Sequence, residues 1–168
     1  PEDCDNGVIM VLFGGDKVDY SRLEPMMKGF CGNYKYVGES GSGHVAKLIL
    51  NFIGLSYISL YAQTFPLTEK MGMDNNIMRE LIAESGMGCG AFDYYAPKLL
   101  NKTYDMAFAL ELAHKDLTYA RKLFEEYEVP AFSLDGVLNL LRTGIKDGKG
   151  KKDFSECGAI MHEFFEGK

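Results

Sequence analysis

Residues 38–51, GESGSGHVAKLILN, mark the point where the chain changes from one kind of structure to another. Ahead of them, residues 7–15 (GVIMVLFGG) form a short aliphatic run closed by a glycine pair. Asp16 is placed to N-cap a helix reaching about Phe30, and residues 34–37 read as a second short strand. Two strands and one helix cannot bury their own faces, so residues 1–40 are expected to complete a larger sheet. The chain opens on Pro1 without a methionine, which fits a cut inside a longer protein.

From Gly41 the pattern is helical throughout. Val45, Leu48, Ile49, Phe52, Ile53, Leu55, Ile58 and Leu60 put apolar groups nearly all round one long helix, the pattern of a helix buried on most sides. Further helices are predicted over residues 74–84, 91–101, 108–128, 132–143 and 154–165. They are separated where breakers cluster: Gly72, the SGMGCG stretch from Ser85, Val129 with Pro130, and DGKGKKD from Asp147. The expected fold is therefore mainly α, a helical domain over 41–168 preceded by a short β-α-β segment over 1–40.

The balance of 18 Lys and Arg against 24 Asp and Glu, net charge -6, argues against a nucleic-acid partner, because phosphate binding needs clustered cations. The one basic run, residues 149–152, reads as a solvated turn. Cys4, Cys31, Cys89 and Cys157 are scattered without a C-x-x-C pair and read as reduced thiols of a cytoplasmic protein. His44, His114 and His162 follow no metal-ligand spacing, so no metal site is expected and surface or satisfied packing roles are favoured. Residues 48–68 carry no charge over a length that could span a bilayer. Asn51, Ser56, Ser59, Gln63 and Thr64 interrupt that run and suit a helix inside a soluble bundle, so no membrane partner is expected.

Lys47 is the only charged side chain between Val45 and Thr68. An ammonium in such surroundings costs desolvation unless it is paired or faces a cleft, and burial would bring its pKa toward the range useful for proton transfer. Asn51 follows one turn later on the same face, so an amine and an amide stand side by side. The plain alternative is that Lys47 snorkels into solvent while Asn51 bonds a nearby backbone group. GSGHVA, residues 41–46, also fits a loose G-x-G-x-x-A dinucleotide fingerprint. A dinucleotide unit needs its helix to end after about a dozen residues and a strand to follow. Here the helical pattern runs on to at least Gln63, so no cofactor site is assigned to these glycines.

Gly38, Gly41, Gly43, Lys47 and Asn51 together make G-x-x-G-x-G-x-x-x-K-x-x-x-N, and here the sequence resembles the β-hydroxyacid dehydrogenases, the family of 3-hydroxyisobutyrate and tartronate semialdehyde-type reductases, with 6-phosphogluconate dehydrogenase as a more distant relative. The likeness extends to the strands ending at residues 14–16 (GGD) and 35–38 (KYVG), to HKDLTYA from His114, and to GKKDFS from Gly150. It implies a helical bundle of the 6-phosphogluconate dehydrogenase C-terminal type, preceded by a remnant of a Rossmann domain. It further implies Lys47 as catalytic acid/base, Asn51 with Gly41, Ser42 and Gly43 as substrate-binding, and Lys115 near an NAD or NADP cofactor. Lys115 also has Glu111 at i-4 for an ordinary ion pair, and Asp153 and Ser155 also suit capping of the last helix. Phe92 and Tyr94 are candidates for lining the pocket and equally for the core.

The implied activity is NAD(P)-dependent oxidation of a short 3-hydroxyacid, or reduction of its semialdehyde. The G-x-G-x-x-G turn of the family's nucleotide-binding half has no counterpart here, so a missing N-terminal Rossmann domain is the expected partner and the chain alone is expected to be inactive. A homodimer or higher homo-oligomer is implied as well. The competing reading is a noncatalytic helical oligomerisation or interaction module derived from the same family.

Overall fold

The computed structural model describes residues 9–167, so Cys4 and the first residues of the expected first strand lie outside the described part. The chain divides into two compact units, residues 1–50 and 51–168. In the first, β1 (Met10–Gly14) and β2 (Asn33–Gly38) pair in parallel, with a bulge between Phe13 and Gly14. Helix α1 (Lys17–Met27) connects them. Asp16 caps that helix as its sequence position suggests, its Oδ1 accepting the Val18 amide at 2.7 Å. The Tyr20 ring, 5.5 Å from both Phe13 and Tyr36, packs α1 onto the sheet.

Two glycines set how closely the next helix approaches that sheet. A Cβ on Gly43 would sit on the carbonyl oxygen of Leu12, and one on Gly14 would come within 2.6 Å of the Gly43 amide nitrogen. The missing side chains let the first turn of α2 (Ser42–Lys70) lie directly against the β1 backbone. Because backbone cannot yield as a flexible side chain can, Gly43→Ala should destabilise the first unit by about 1–3 kcal/mol. A denaturation midpoint unchanged from wild type would show that the approach is not constrained.

The second unit contains the rest of α2, then α3 (Asn75–Glu84), α4 (Gly90–Asn101), α5 (Leu110–Glu126), α6 (Phe132–Lys146), a 3-10 turn (Phe154–Glu156) and α7 (Cys157–Glu166). All five later helices thus lie within a few residues of their predicted positions. Leu110, Ala113, Leu117 and Ala120 share one face of α5 and are fully buried, as are Leu134, Leu138 and Leu141 of α6. Each such leucine contributes about 2 kcal/mol by leaving water. Phe65, Phe92, Phe154 and Ile160 complete the interior, with Tyr61 edge-on to Phe92 at 4.8 Å.

Asp153, only 1 % exposed, ties this interior together. Its carboxylate accepts the Ala107, Phe108 and Ser155 amides at 2.7, 2.9 and 3.0 Å and the Ser155 hydroxyl. It therefore N-caps the 3-10 turn and at the same time anchors the loop that leads into α5.

One expectation fails. Helix α2 is not buried on most sides, for Val45, Ile53 and Leu60 are 43 %, 45 % and 57 % exposed. Over its second-unit length the buried side chains are Leu55, Ile58, Ser59, Tyr61, Ala62, Phe65, Pro66 and Thr68, one broad face of the helix. By length and composition α2 is apolar enough to cross a bilayer. Several of its polar groups are satisfied locally, Gln63 donating to the Ser59 carbonyl and Thr64 to that of Leu60.

Candidate functional site

In the first unit, β1 and the first turns of α2 enclose an open cleft of about 370 Å³, walled by Met10–Gly14 on one side and by Gly43, His44 and Lys47 on the other. The positive φ values of Gly38 (133°) and Gly41 (93°) turn the chain from β2 into α2 and so set where the helix starts. Lys47 comes to the cleft one turn after Gly43. It is exposed rather than buried, so of the alternatives its sequence position leaves open it takes the one that faces a cleft. Those neighbours point to other sides of the helix, while the lysine stands on the side open to the cleft.

In the second unit, Asn51 of α2 donates its Nδ2 to Asp116 Oδ2 at 2.8 Å. Asp116 lies on α5 and is 4 % exposed. A carboxylate accepts hydrogen bonds and cannot donate them, so its position fixes which end of the Asn51 amide faces it. The amide oxygen of Asn51 is consequently turned away from Asp116 and can accept a hydrogen bond from another group. Asp116 was not among the residues singled out in the sequence. Its partner is 65 positions away, and only the K-D-L segment, read there for its lysine, carried any signal.

Lys115 pairs with Asp116, Nζ to Oδ1 3.4 Å, and not with Glu111 as helix spacing suggested. Its side chain remains 54 % exposed, so the amine is accessible to a ligand as well. Phe92 is core at 1 % exposure, whereas Tyr94 is 54 % exposed with the Lys98 ammonium 4.9 Å above its ring. His114 is neither a surface nor a satisfied histidine. Its Nε2 is buried without a hydrogen-bond partner, and burial, with Arg142 and Arg121 nearby, holds its pKa below the ordinary imidazole value. Among the described residues Cys31, Cys89 and Cys157 are free thiols, and no cluster of three or more His, Cys, Asp or Glu could hold a metal ion.

The glycines at the start of α2 are not followed by the rest of a dinucleotide unit. The helix runs unbroken to Lys70 and gives way to another helix. Lys115 is thus the accessible cation that the sequence offered for a cofactor contact, and the glycines serve the approach of α2 to β1.

Residues 41–160 match the family model described as NAD-binding of NADP-dependent 3-hydroxyisobutyrate dehydrogenase. Among curated relatives, glyoxylate/succinic semialdehyde reductase 2 of Arabidopsis thaliana is 26% identical over 152 residues, covering 90% of this chain and 42% of the relative. The 3-sulfolactaldehyde reductase of Escherichia coli is 25% identical over 150 residues, covering 89% and 50%. The chain spans about half the length of the curated relatives it matches. In fold it is similar to the crystal structure of 3-hydroxyisobutyrate dehydrogenase from Salmonella typhimurium, with a TM-score of 0.86 at 19% identity over 95% of this chain and 56% of that one. The Mycobacterium tuberculosis 3-hydroxyisobutyrate dehydrogenase gives the same TM-score, 0.86, at 20% identity, covering 95% and 57%.

Proposed function

Since the chain belongs to the 3-hydroxyisobutyrate dehydrogenase-like β-hydroxyacid dehydrogenases, we propose that it supplies the proton-transfer side of an NAD(P)-dependent oxidoreductase acting on a short 3-hydroxyacid or the corresponding semialdehyde. The observation that carries this reading is Lys47, the one charged group on a long apolar stretch of α2, opening onto a cleft beside the G-x-x-G-x-G turn. Relatives named for glyoxylate, succinic semialdehyde and 3-sulfolactaldehyde reduction support a small, anionic carbonyl or hydroxyl compound as the substrate class.

The nicotinamide, when bound, exchanges a hydride with the carbon that bears the substrate oxygen, and a nucleotide-binding domain partnering this chain would hold most of it. Lys47 gives a proton to that oxygen in reduction and removes it in oxidation. Asn51, with its amide oriented by Asp116, accepts from the substrate hydroxyl and holds it for the transfer. Gly41, Ser42 and Gly43 would bind the substrate at the turn, and Lys115 would supply a positive charge to the cofactor.

The orienting role of Asp116 has a kinetic signature. Asp116→Ala frees the Asn51 amide to rotate and should raise KM at least about tenfold, the lower end of the scale for a lost hydrogen bond to a charged group. Wild-type KM in that variant would remove Asp116 from the site. The activity itself is tested by following reduced nicotinamide in the full-length protein with a panel of short semialdehydes and both NADH and NADPH. Oxidation with at least one pair is expected, and none with the 168-residue chain alone. A full-length protein that turns over no member of the panel would contradict the reading.

A further inference from the structure

The cleft between β1 and α2 holds one ionisable side chain that the proposed chemistry leaves unused. Residues 10–13 of its strand wall are apolar, and Gly14 and Gly43 carry no side chain, so the hydrogen-bonding side chains that line it are those of His44 and Lys47. His44 stands one turn ahead of Lys47 on α2, and side chains three apart on a helix are neighbours, with Cβ atoms about 5–6 Å apart. The backbone at that position is held by the turn into the helix, where the His44 amide donates to the Gly41 carbonyl at 3.0 Å. The imidazole itself is not engaged. It is exposed, and among the described residues it makes no hydrogen bond, ion pair or ring contact.

We propose that His44 selects an anionic substrate, its imidazole N–H donating a hydrogen bond to the carboxylate, or a like anionic end, of the compound whose hydroxyl or carbonyl oxygen meets Lys47. The separation of the two side chains is on the scale of a short hydroxyacid, so one molecule can reach both. No acidic side chain is among the lining residues, and an anion entering the cleft therefore meets no like charge there. The strand wall opposite offers no competing side-chain donor, which leaves the anion to the helix side. An imidazole donates from one nitrogen when neutral and from both when protonated, so it serves an anion in either state. The inference rests on the proposed function for the reacting group at Lys47, whereas the anion contact stands on the cleft itself.

The test compares succinic semialdehyde with butanal, the same carbon chain without the carboxylate, in the protein joined to its nucleotide-binding domain. His44→Leu should lower the preference for succinic semialdehyde, read as the ratio of the two kcat/KM values, at least about tenfold, the lower end of the scale for a lost hydrogen bond to a charged group. The loss should fall on KM, as for a contact made equally before and during the reaction. His44→Gln, which keeps an N–H donor, should recover most of it. Binding is read separately by equilibrium dialysis of succinate, which needs no turnover, and His44→Leu should hold it at least about tenfold more weakly than wild type. Turnover of neither aldehyde by the wild type, with succinate still bound through His44, would remove the proposed activity and leave the anion contact standing. An unchanged preference in His44→Leu, whether both aldehydes lose equally as at a packing residue or neither loses, or equal succinate binding by the two proteins overturns the proposal.

Discussion

On the proposed function, Lys47→Ala in the protein joined to its nucleotide-binding domain is expected to lower turnover by at least about 100-fold, the usual scale of a positioned acid/base. The effect should fall on kcat, because an acid that protonates the substrate oxygen acts mainly as charge develops there in the transition state. Stability should change little. Lys47 is exposed at the cleft and is not part of the buried core, and replacing an exposed side chain is usually within about 0.5 kcal/mol. A large loss of turnover together with an unchanged melting temperature is therefore the signature of a catalytic group. A comparable loss of both would indicate a packing role.

The second large effect concerns folding and not chemistry. Asp153→Ala is expected to destabilise the second unit by about 3 kcal/mol or more, because three backbone amides and one hydroxyl lose their acceptor at a buried site. Those donors also lie on two separate segments, so the loop before α5 and the turn before α7 are released together. The carboxylate gives this site a pH dependence. Burial alone pushes its pKa up, but the Ser155 hydroxyl and the Phe108, Ala107 and Ser155 amides outweigh that, and the net value lies below the ordinary carboxylate. A group with a depressed folded pKa contributes its full stability above the unfolded value, near pH 4, and loses it as pH falls through the folded value. Urea midpoints measured across that acid range should converge for wild type and Asp153→Asn. Parallel curves would assign the stability to other carboxylates.

The contrast between Asp153 and Asp116 shows what the sequence makes legible. Asp153 precedes Ser155 at capping distance, a local relation that spacing reveals. Asp116 owes its importance to Asn51, and a contact between helices so distant in the chain leaves no periodic trace. The positions of the later helices were legible because each has its own breakers: Gly72, Val129 with Pro130, and the glycines from Asp147 onward. The surroundings of α2 were not. Apolar residues all round a helix state that it prefers to leave water, and the same composition serves a helix buried within its own chain or one covered by another molecule. In this structure Ile53 and Leu60 are exposed and take no part in the core of their own chain. The exposure of Lys47 at the cleft is one of the outcomes its sequence position left open, since neighbours along a helix face different directions and need not surround one another. The motif G-x-x-G-x-G-x-x-x-K-x-x-x-N carried the family likeness because it fixes residue types at intervals that a purely structural helix does not require.

The central claim, that Lys47 transfers the proton, is tested most directly by chemical rescue. In the full-length Lys47→Ala enzyme, added methylamine should restore part of the lost turnover, in proportion to its concentration and with a dependence on pH that follows its ammonium form in the reduction direction. Tetramethylammonium, a cation with no proton to give, should restore none. Near-normal turnover in Lys47→Ala before any amine is added, or equal rescue by the two cations, would contradict the account.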